Sequence, residues 1–186
     1  MPILAHEPDL YPGDLLDQVD LGCEVDRSWW VIHTKPRQEK EFARRLLRLD
    51  VWWYLPQIVR KSRSPNGRQR ESFVPLFPSY AFVYGNADQR LMALETGCSV
   101  HSLPVSDGVQ LTHDLQQIWR LTQTGASLIP EAQLEPGRAV RVTSGPFRGF
   151  EGRVFKRHSA ARLLVMVNYL QQGVSVELDE CDVEAV

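Results

Sequence analysis

The chain has 186 residues, of which 43% are hydrophobic and 24% are charged, and its formal net charge is −2. This length accommodates one or two small domains, each near the lower limit of what a single hydrophobic core stabilises. No apolar run is long enough to cross a bilayer, and the amino terminus lacks the basic and apolar regions of a signal peptide, so we expect a cytoplasmic protein without a membrane anchor. The 3 cysteines have no metal-ligand spacing, which predicts reduced thiols and argues against a zinc site.

Charges are segregated along the chain. Residues 1–27 carry seven acidic side chains and one basic side chain, a net charge of −6 that leaves +4 for the remainder. Residues 35–70 carry eleven basic side chains against three acidic ones. We interpret residues 1–27 as an acidic, flexible extension and the basic segment as a field that attracts polyanions. A solvated helix face is the plainer interpretation of the basic residues, and an extension that folds back on them is a further hypothesis.

The segment 28–125 has the alternation of strand and helix signals that is typical of an α+β sandwich. The strands predicted here cover residues 28–34, 52–55, 58–59, 72–74, 80–84 and 100–103. The first of them is rich in aromatic and β-branched residues, and Pro36 follows its end. Residues 62–68 are polar and contain Asn66-Gly67, which predicts the exposed tip of a hairpin.

Three helices are predicted in the same segment. They cover residues 37–49, 87–96 and 112–123. In the first, Phe42, Leu46 and Leu49 recur at helical spacing and predict the buried stripe, while basic residues share the opposite face. Asn86 and Thr112 are the expected caps of the second and third helices.

A glycine-rich segment near the carboxyl terminus predicts a small β domain. Val140 and Val142 alternate with polar residues, as in a half-buried strand, and Gly145-Pro146 predicts the turn that follows. Gly149 and Gly152 stand where a tight hairpin needs positive φ or close backbone approach. Further strands are expected near residues 154–155, 163–167, 175–178 and 183.

Residues 135–154 resemble the KOW motif of the NusG family of transcription elongation factors. Residues 29–34, with the helix behind them, resemble the opening of the family's amino-terminal domain, and residues 75–83 are similar to RfaH-like specialised paralogues. The resemblance implies an amino-terminal α/β sandwich followed by a five-stranded SH3-like β-barrel. The domains it implies are an extension at 1–27, the polymerase-binding domain at 28–125, a linker at 126–134 and the KOW domain at 135–186.

The resemblance implies a factor that performs no bond-making chemistry. In the family, the first domain docks an apolar cavity onto a coiled coil of the RNA polymerase clamp and bridges the cleft over the DNA. The docking residues implied here are Phe77, Tyr80, Phe82, Leu115, Ile118 and Trp119. Aromatic residues are the usual anchors of such interfaces, although each of the six also fits an ordinary core position.

The basic residues around the first helix are expected to face nucleic acid. This basic stripe consists of Lys35, Arg37, Lys40, Arg44 and Arg45. Lys35 and Arg45 match positions at which RfaH-like proteins contact the exposed non-template strand, so the resemblance implies non-template DNA or nascent RNA as the neighbour. Lysine and arginine contacts to phosphate supply affinity without reading sequence.

The KOW domain of the family recruits a partner, either a ribosomal protein or the termination factor Rho. The residues expected to form such a contact are Phe147, Arg148, Phe150 and Leu170. The loop at 168–173 lacks the family's usual Phe-Gly-Arg, which weakens the expectation of ribosome or Rho coupling, and a purely structural hairpin is an equal interpretation. The glycine-rich strands favour a permanent barrel over the helical form that RfaH adopts.

These observations leave three functions open. A specialised antiterminator is favoured over a general NusG by the RfaH-like residues 75–83, the acidic extension and the altered loop. A KOW-type RNA- or ribosome-binding protein without polymerase docking is the third. An enzyme is not expected, because the histidines are dispersed and no phosphate-binding or nucleophile motif occurs. We expect a monomer with no cofactor and no metal.

Overall fold

The computed structural model describes residues 7–20, 26–63, 69–131, 137–157, 160–178 and 183–185. The chain divides into two compact units, Met1–Gly108 and Val109–Val186. Strands of the first unit are β1 (Leu10–Tyr11), β2 (Ser28–Thr34), β3 (Trp52–Tyr54), β4 (Gln57–Arg63), β5 (Gln69–Pro75), β6 (Tyr80–Gly85) and β7 (Ser99–Pro104). Its helices are α1 (Leu15–Asp20), α2 (Glu39–Arg48) and α3 (Ala87–Glu95).

The first unit is built on a five-stranded antiparallel sheet with the order β1-β3-β6-β2-β7. One face of the sheet carries the hydrophobic core, in which Ile32 and Val83 pack with Phe42 and Leu46 of α2. Phe42 and Leu46 have the i, i+4 spacing that places both on the same side of the helix. The predicted α+β architecture is confirmed.

Strands β4 and β5 form a separate two-stranded antiparallel ladder, from Gln57 opposite Pro75 to Arg63 opposite Gln69. This ladder confirms that two strands flank the predicted hairpin. The predicted tip itself, residues 64–68, lies outside the described residues.

The described part of the acidic segment differs from the flexible extension that the sequence suggests. Strand β1 pairs with β3 at the edge of the sheet, with Leu10 opposite Tyr54. Helix α1 follows, and its Leu15 and Leu16 are buried. The reason is the apolar content between the acidic residues, because burial of leucine side chains offsets the entropy of ordering a short segment.

The second unit is a six-stranded antiparallel sheet together with a helix. Its strands are β8 (Ile129–Glu131), β9 (Arg138–Val142), β10 (Glu151–Arg157), β11 (Ala160–Val167), β12 (Gln172–Glu177) and β13 (Val183–Ala185), in the order β13-β9-β10-β11-β12-β8. Helix α4 (Gly108–Gln123) leads into them, and a short 3-10 turn follows β11. The core contains Val140, Val142, Leu163, Val165 and Val174.

The glycines of the β9–β10 hairpin have the predicted roles. Gly149 has a φ of 88°, in the left-handed region. Gly152 lies against β11, where a Cβ would meet the carbonyl group of Leu164. These two positions explain why the hairpin needs glycine.

Three sequence expectations are corrected. Leu49, expected in the buried stripe of α2, is 39% exposed, because the helix ends at Arg48 and Asp50 turns the chain with a φ of 55°. Helix α4 begins at Gly108, and the expected cap Thr112 is a buried residue inside it, because the apolar stripe starts already at Leu111. The expected linker contains β8, which makes the β domain six-stranded.

Over the part of the chain that is described, no helix is long and apolar enough to cross a membrane.

Candidate nucleic-acid and protein-binding surfaces

The basic stripe begins at the junction of β2 and α2 and continues along α2. Four of its members are exposed, and Lys40 is half-buried. Lys35 donates from Nζ to the carbonyl oxygen of Gly97 at 2.6 Å, and Arg45 donates from Nη1 to the carbonyl oxygen of Thr96. Both cations are therefore oriented by the loop that follows α3. Exposure fits both a solvated helix face and a surface that meets a polyanion, so the nucleic-acid contact stays a prediction.

Arg44 is held by two carboxylates. Its Nε and Nη2 atoms donate to Glu7 at 2.9 and 2.7 Å, and its Nη1 atom donates to Glu41 at 3.3 Å. The Arg44 hydrogen bond is the main cause that lowers the pKa of Glu7 below its usual value. Glu41 also accepts from Nε of Arg45 at 2.9 Å, and these two arginine contacts lower the pKa of Glu41. Before the structure, only the segregation of charge pointed to a contact between the acidic segment and the basic stripe.

A cavity of about 490 Å³ opens between the end of α2 and the end of α3. It is lined by Arg45, Arg48, Leu49, Met92, Glu95 and Thr96. Leu49 and Met92 supply apolar surface, the two arginines supply cationic groups beside it, and Glu95 supplies an anionic one. The apolar surface can accept a planar apolar group such as a nucleobase, and the arginines can accept a neighbouring phosphate. The exposure of Leu49, which the sequence analysis missed, is part of this site.

Tyr80 is the accessible member of the aromatic set in the first unit. Phe77 and Phe82 are buried and meet edge to face, with ring centroids 6.1 Å apart. Tyr80 is half-buried and contacts His33, whose ring centroid is 5.3 Å away. His33 contacts His101 in turn, at 5.0 Å. The two histidines belong to no sequence motif, but the alternation along β2 places His33 on the same face as Val31 and Trp29.

The apolar residues of α4 belong to the second unit. Leu115 and Ile118 are fully buried, together with Leu111 and Leu121. Trp119 is half-buried. Of the three α4 residues implied for docking, Trp119 alone has appreciable exposed surface.

The predicted partner contact of the β domain is only partly accessible. Phe147 and Phe150 are each 6% exposed and meet edge to face at 6.3 Å. Arg148 is exposed, and Leu170 is half-buried in the 3-10 turn after β11. The two phenylalanines thus form the base of the hairpin, and Arg148 and Leu170 offer the surface.

Helix α4 packs on the β domain through polar contacts that the sequence analysis missed. Asp114 accepts a hydrogen bond from the backbone N–H of Asn168 at 2.8 Å and two longer ones from its side-chain amide. Gln117 Oε1 accepts from the backbone N–H of Glu151 at 2.8 Å. Arg120 lies 5.5 Å from the centre of the Phe150 ring. These contacts join Asp114 to Asn168 and Gln117 to Glu151. Residues so far apart in the chain cannot be paired from local sequence patterns.

Burial raises the pKa of Asp114, and the hydrogen bonds from Asn168 and Gln110 only partly oppose this shift. A cavity of about 190 Å³ lies beside this carboxylate, between α4 and the strands β9 and β10. Among the described residues, no group of three or more histidine, cysteine, aspartate or glutamate side chains could hold a metal ion.

The family model described as "Transcription termination factor nusG" matches residues 27–124. The transcription termination/antitermination protein NusG of Yersinia pestis is 32% identical over 130 residues, which cover 63% of this chain and 69% of the relative. Its Pseudomonas aeruginosa counterpart is 26% identical over 180 residues, covering 86% of this chain and 99% of the relative. A solved structure described as "Domain interaction in Thermotoga maritima NusG" covers 86% of this chain and 97% of its own, with 18% identity and a TM-score of 0.44.

The match to the family model spans more than half of the chain and falls on the sheet and helices that carry the basic stripe and Tyr80. The two relatives above are both transcription termination/antitermination proteins of the NusG type. This chain belongs to the NusG family of non-enzymatic transcription termination and antitermination factors.

Proposed function

We propose that this protein binds RNA polymerase during elongation and suppresses pausing or termination. The family match over residues 27–124 is the observation that carries the proposal, because this is the part that resembles a polymerase-binding domain. A factor that contacts two mobile parts of a machine stabilises the conformation in which both contacts are satisfied. Binding energy alone therefore biases polymerase toward elongation, and no catalytic group is required. Such a factor works where transcription occurs, in the cytoplasm of a bacterium.

Two residues are the proposed contact points with polymerase. Tyr80 of the first unit and Trp119 of the second are each half-buried and keep some accessible surface, and each is proposed by itself as an aromatic anchor for polymerase. Phe77, Phe82, Leu115 and Ile118 are buried, so their part in docking is to support the exposed rings rather than to touch the partner. This division refines the set that the resemblance implies.

The basic stripe is the proposed contact with non-template DNA or nascent RNA. The stripe is exposed and the cavity of about 490 Å³ lies at Arg45, so phosphate groups and one unstacked base have adjacent places to bind. Phosphate contacts position the strand, and we propose no recognition sequence.

Within the family, we propose a specialised antiterminator rather than a general factor. Residues 75–83 are similar to RfaH-like paralogues, and the loop at 168–173 lacks the Phe-Gly-Arg that general factors use near Leu170. Contact with a ribosomal protein or Rho through Arg148 and Leu170 is the second candidate, because both residues have accessible side chains. Occupancy mapped along the genome distinguishes the two: a specialised factor is found on a few operons, and a general one on most transcribed genes.

The first test is co-elution of the purified protein with core RNA polymerase, followed by a pause assay on the complex. Tyr80→Ala and Trp119→Ala are expected to lose about 1–3 kcal/mol of binding free energy each, as exposed aromatic anchors do. Tyr169→Ala is the matched control, since Tyr169 is an exposed tyrosine outside the proposed contacts. Full binding by all variants refutes the assigned contacts, and no binding by the wild type refutes the proposed function.

A further inference from the structure

Glu7 is held at a fixed place beside α2 by the strand that follows it. The backbone N–H of Leu55 donates to the carbonyl oxygen of Asp9 at 2.6 Å, and β1 continues this pairing along β3. The side-chain amide of Gln57 donates to the Asp9 carboxylate at 2.8 Å and to the carbonyl oxygen of Glu7 at 3.3 Å. Leu10 is buried below. Glu7 is therefore delivered to α2 by an ordered segment and not by a loose tail.

The Glu7 carboxylate accepts hydrogen bonds from the Nε–Nη2 edge of the Arg44 guanidinium. Its two oxygens receive Nε and Nη2 at 2.9 and 2.7 Å, which is the two-pronged geometry that a guanidinium also uses to bind phosphate. The remaining terminal nitrogen, Nη1, faces Glu41 at 3.3 Å. Three of the five N–H groups of Arg44 thus donate to carboxylates, and a phosphate group can take the two-pronged Nε–Nη2 edge only by displacing Glu7.

The same carboxylate acts on a second member of the basic stripe. Lys40, one helical turn before Arg44, is close enough to Glu7 to help lower the pKa of this carboxyl group. The Glu7–Arg44 pair is still open to solvent, with 28% and 44% of the two side chains exposed. Exposed ion pairs are weak, so a polyanion at high concentration can open this one.

We propose that Glu7 competes with nucleic-acid phosphate for Arg44, so that the amino-terminal strand lowers the affinity of the basic stripe for nucleic acid. The inference rests on the proposed contact between the stripe and DNA or RNA. This competition gives β1 a regulatory role. Away from polymerase, the basic stripe binds nucleic acid only weakly, because Glu7 holds Arg44. Beside an exposed nucleic-acid strand, the Glu7–Arg44 ion pair opens and Arg44 binds phosphate together with the rest of the stripe.

The test measures binding of the full chain to a fluorescent single-stranded oligonucleotide over a range of salt concentrations. Glu7→Gln is expected to bind about two- to fivefold more tightly at low salt, the factor set by a weak exposed ion pair. Its plot of log affinity against log salt is expected to be steeper by about 0.7, the increment for one further phosphate on a single strand. Asp17→Asn is the matched control, because it removes the same charge from an exposed position in the neighbouring helix α1.

Arg44→Gln supplies a second measurement that does not depend on the stability of β1. Combined with Glu7→Gln it should cancel the gain in affinity and in salt slope, because the guanidinium that Glu7→Gln frees is then absent. Equal affinity and slope for Glu7→Gln and Asp17→Asn overturns the inference, as does a gain from Glu7→Gln that persists in the Arg44→Gln background.

Removal of other stripe charges separates this inference from the proposed function. Lys35→Gln with Arg45→Gln should weaken binding whatever Glu7 does. If it does so while Glu7→Gln behaves as wild type, only the role of Glu7 is refuted. If it has no effect, the proposed nucleic-acid contact is refuted and the inference with it.

Discussion

Replacing Gly152 by alanine should open the ladder between β10 and β11. A Cβ at this position would lie 3.0 Å from the carbonyl carbon of Leu164, closer still to its oxygen, and 3.1 Å from Cδ1 of Leu163. The obstacle is mainly backbone, which cannot rotate away as a flexible side chain can. The strands must therefore separate locally, and the register pairs on either side lose hydrogen-bond geometry.

The expected cost for Gly152→Ala is about 3 kcal/mol, the upper end for overpacking against a rigid neighbour. Gly149→Ala has nothing within 4 Å of its new Cβ but keeps a φ of 88°, so it should cost about 1–2 kcal/mol from backbone conformation alone. Gly13→Ala meets neither obstacle and should stay within about 0.5 kcal/mol of the wild type. The three variants differ in geometry and share the same chemical change.

Amide hydrogen exchange of β10 and β11 is the appropriate assay, because it reports the free energy of opening in the second unit by itself. Gly152→Ala is expected to lose more protection than Gly149→Ala, and Gly13→Ala, which lies in the first unit, is expected to leave the protection of β10 and β11 unchanged. If Gly152→Ala is no more damaging than Gly149→Ala, the close approach to Leu164 is not what requires glycine there, and the reasoning fails.

Three further predictions concern stability. The raised pKa of Asp114 means that the folded unit binds a proton at this carboxyl group more tightly than the unfolded chain does. The protonated carboxyl group therefore contributes its full stabilisation below the ordinary carboxyl pKa of 3.8, and this stabilisation is lost as pH rises through the folded pKa. The free energy of unfolding, measured over this pH range, should show the decline, and Asp114→Asn should flatten it. Asn86→Ala removes the side-chain acceptor of the Gln89 backbone N–H, while the Gln89 side chain can still accept from the backbone N–H of residue 86; it should cost about 1 kcal/mol in urea unfolding, whereas Asn86→Ser should cost much less. Arg162→Ala removes the hydrogen bonds of 3.0 and 3.1 Å that Arg162 donates to the hydroxyl and carbonyl oxygens of the buried Ser175, and it should cost about 1–3 kcal/mol. Equal protection of the β12 amides in variant and wild type would be the contrary result.

Elements with a strong local signal were predictable from the sequence. Strand β2 has the predicted bounds Ser28–Thr34, because an unbroken aromatic and β-branched run with a following proline leaves little choice. The Asn86 cap forms with both of its hydrogen bonds. The positive φ of Gly149 likewise follows from local turn chemistry. In each case the determining interactions lie within a few residues of one another.

Elements that depend on distant partners were missed. Strand β1 has two residues and β8 has three, too short for an alternating pattern to register, and each exists because a neighbouring strand offers its edge. Leu49 was misplaced because helical periodicity does not reveal where the chain turns away. The contact of Asp114 with Asn168 spans 54 positions, so it is set by the packing of α4 and not by any motif.

Because β8 pairs with β12, the segment that connects helix α4 to the β domain is short. Helix α4 ends at Gln123 and β8 begins at Ile129, so residues 124–128 are the only span between them. Five residues reach at most about 18 Å when fully extended. If the polar contacts of α4 open while β8 stays paired, the β domain remains within this distance of the helix, and such a short tether keeps the effective concentration of α4 in the millimolar range. A partner that binds the surface of the β domain around Phe150 must then compete with α4 at this effective concentration. A weakly binding partner would therefore succeed only if it is itself tethered close to the β domain.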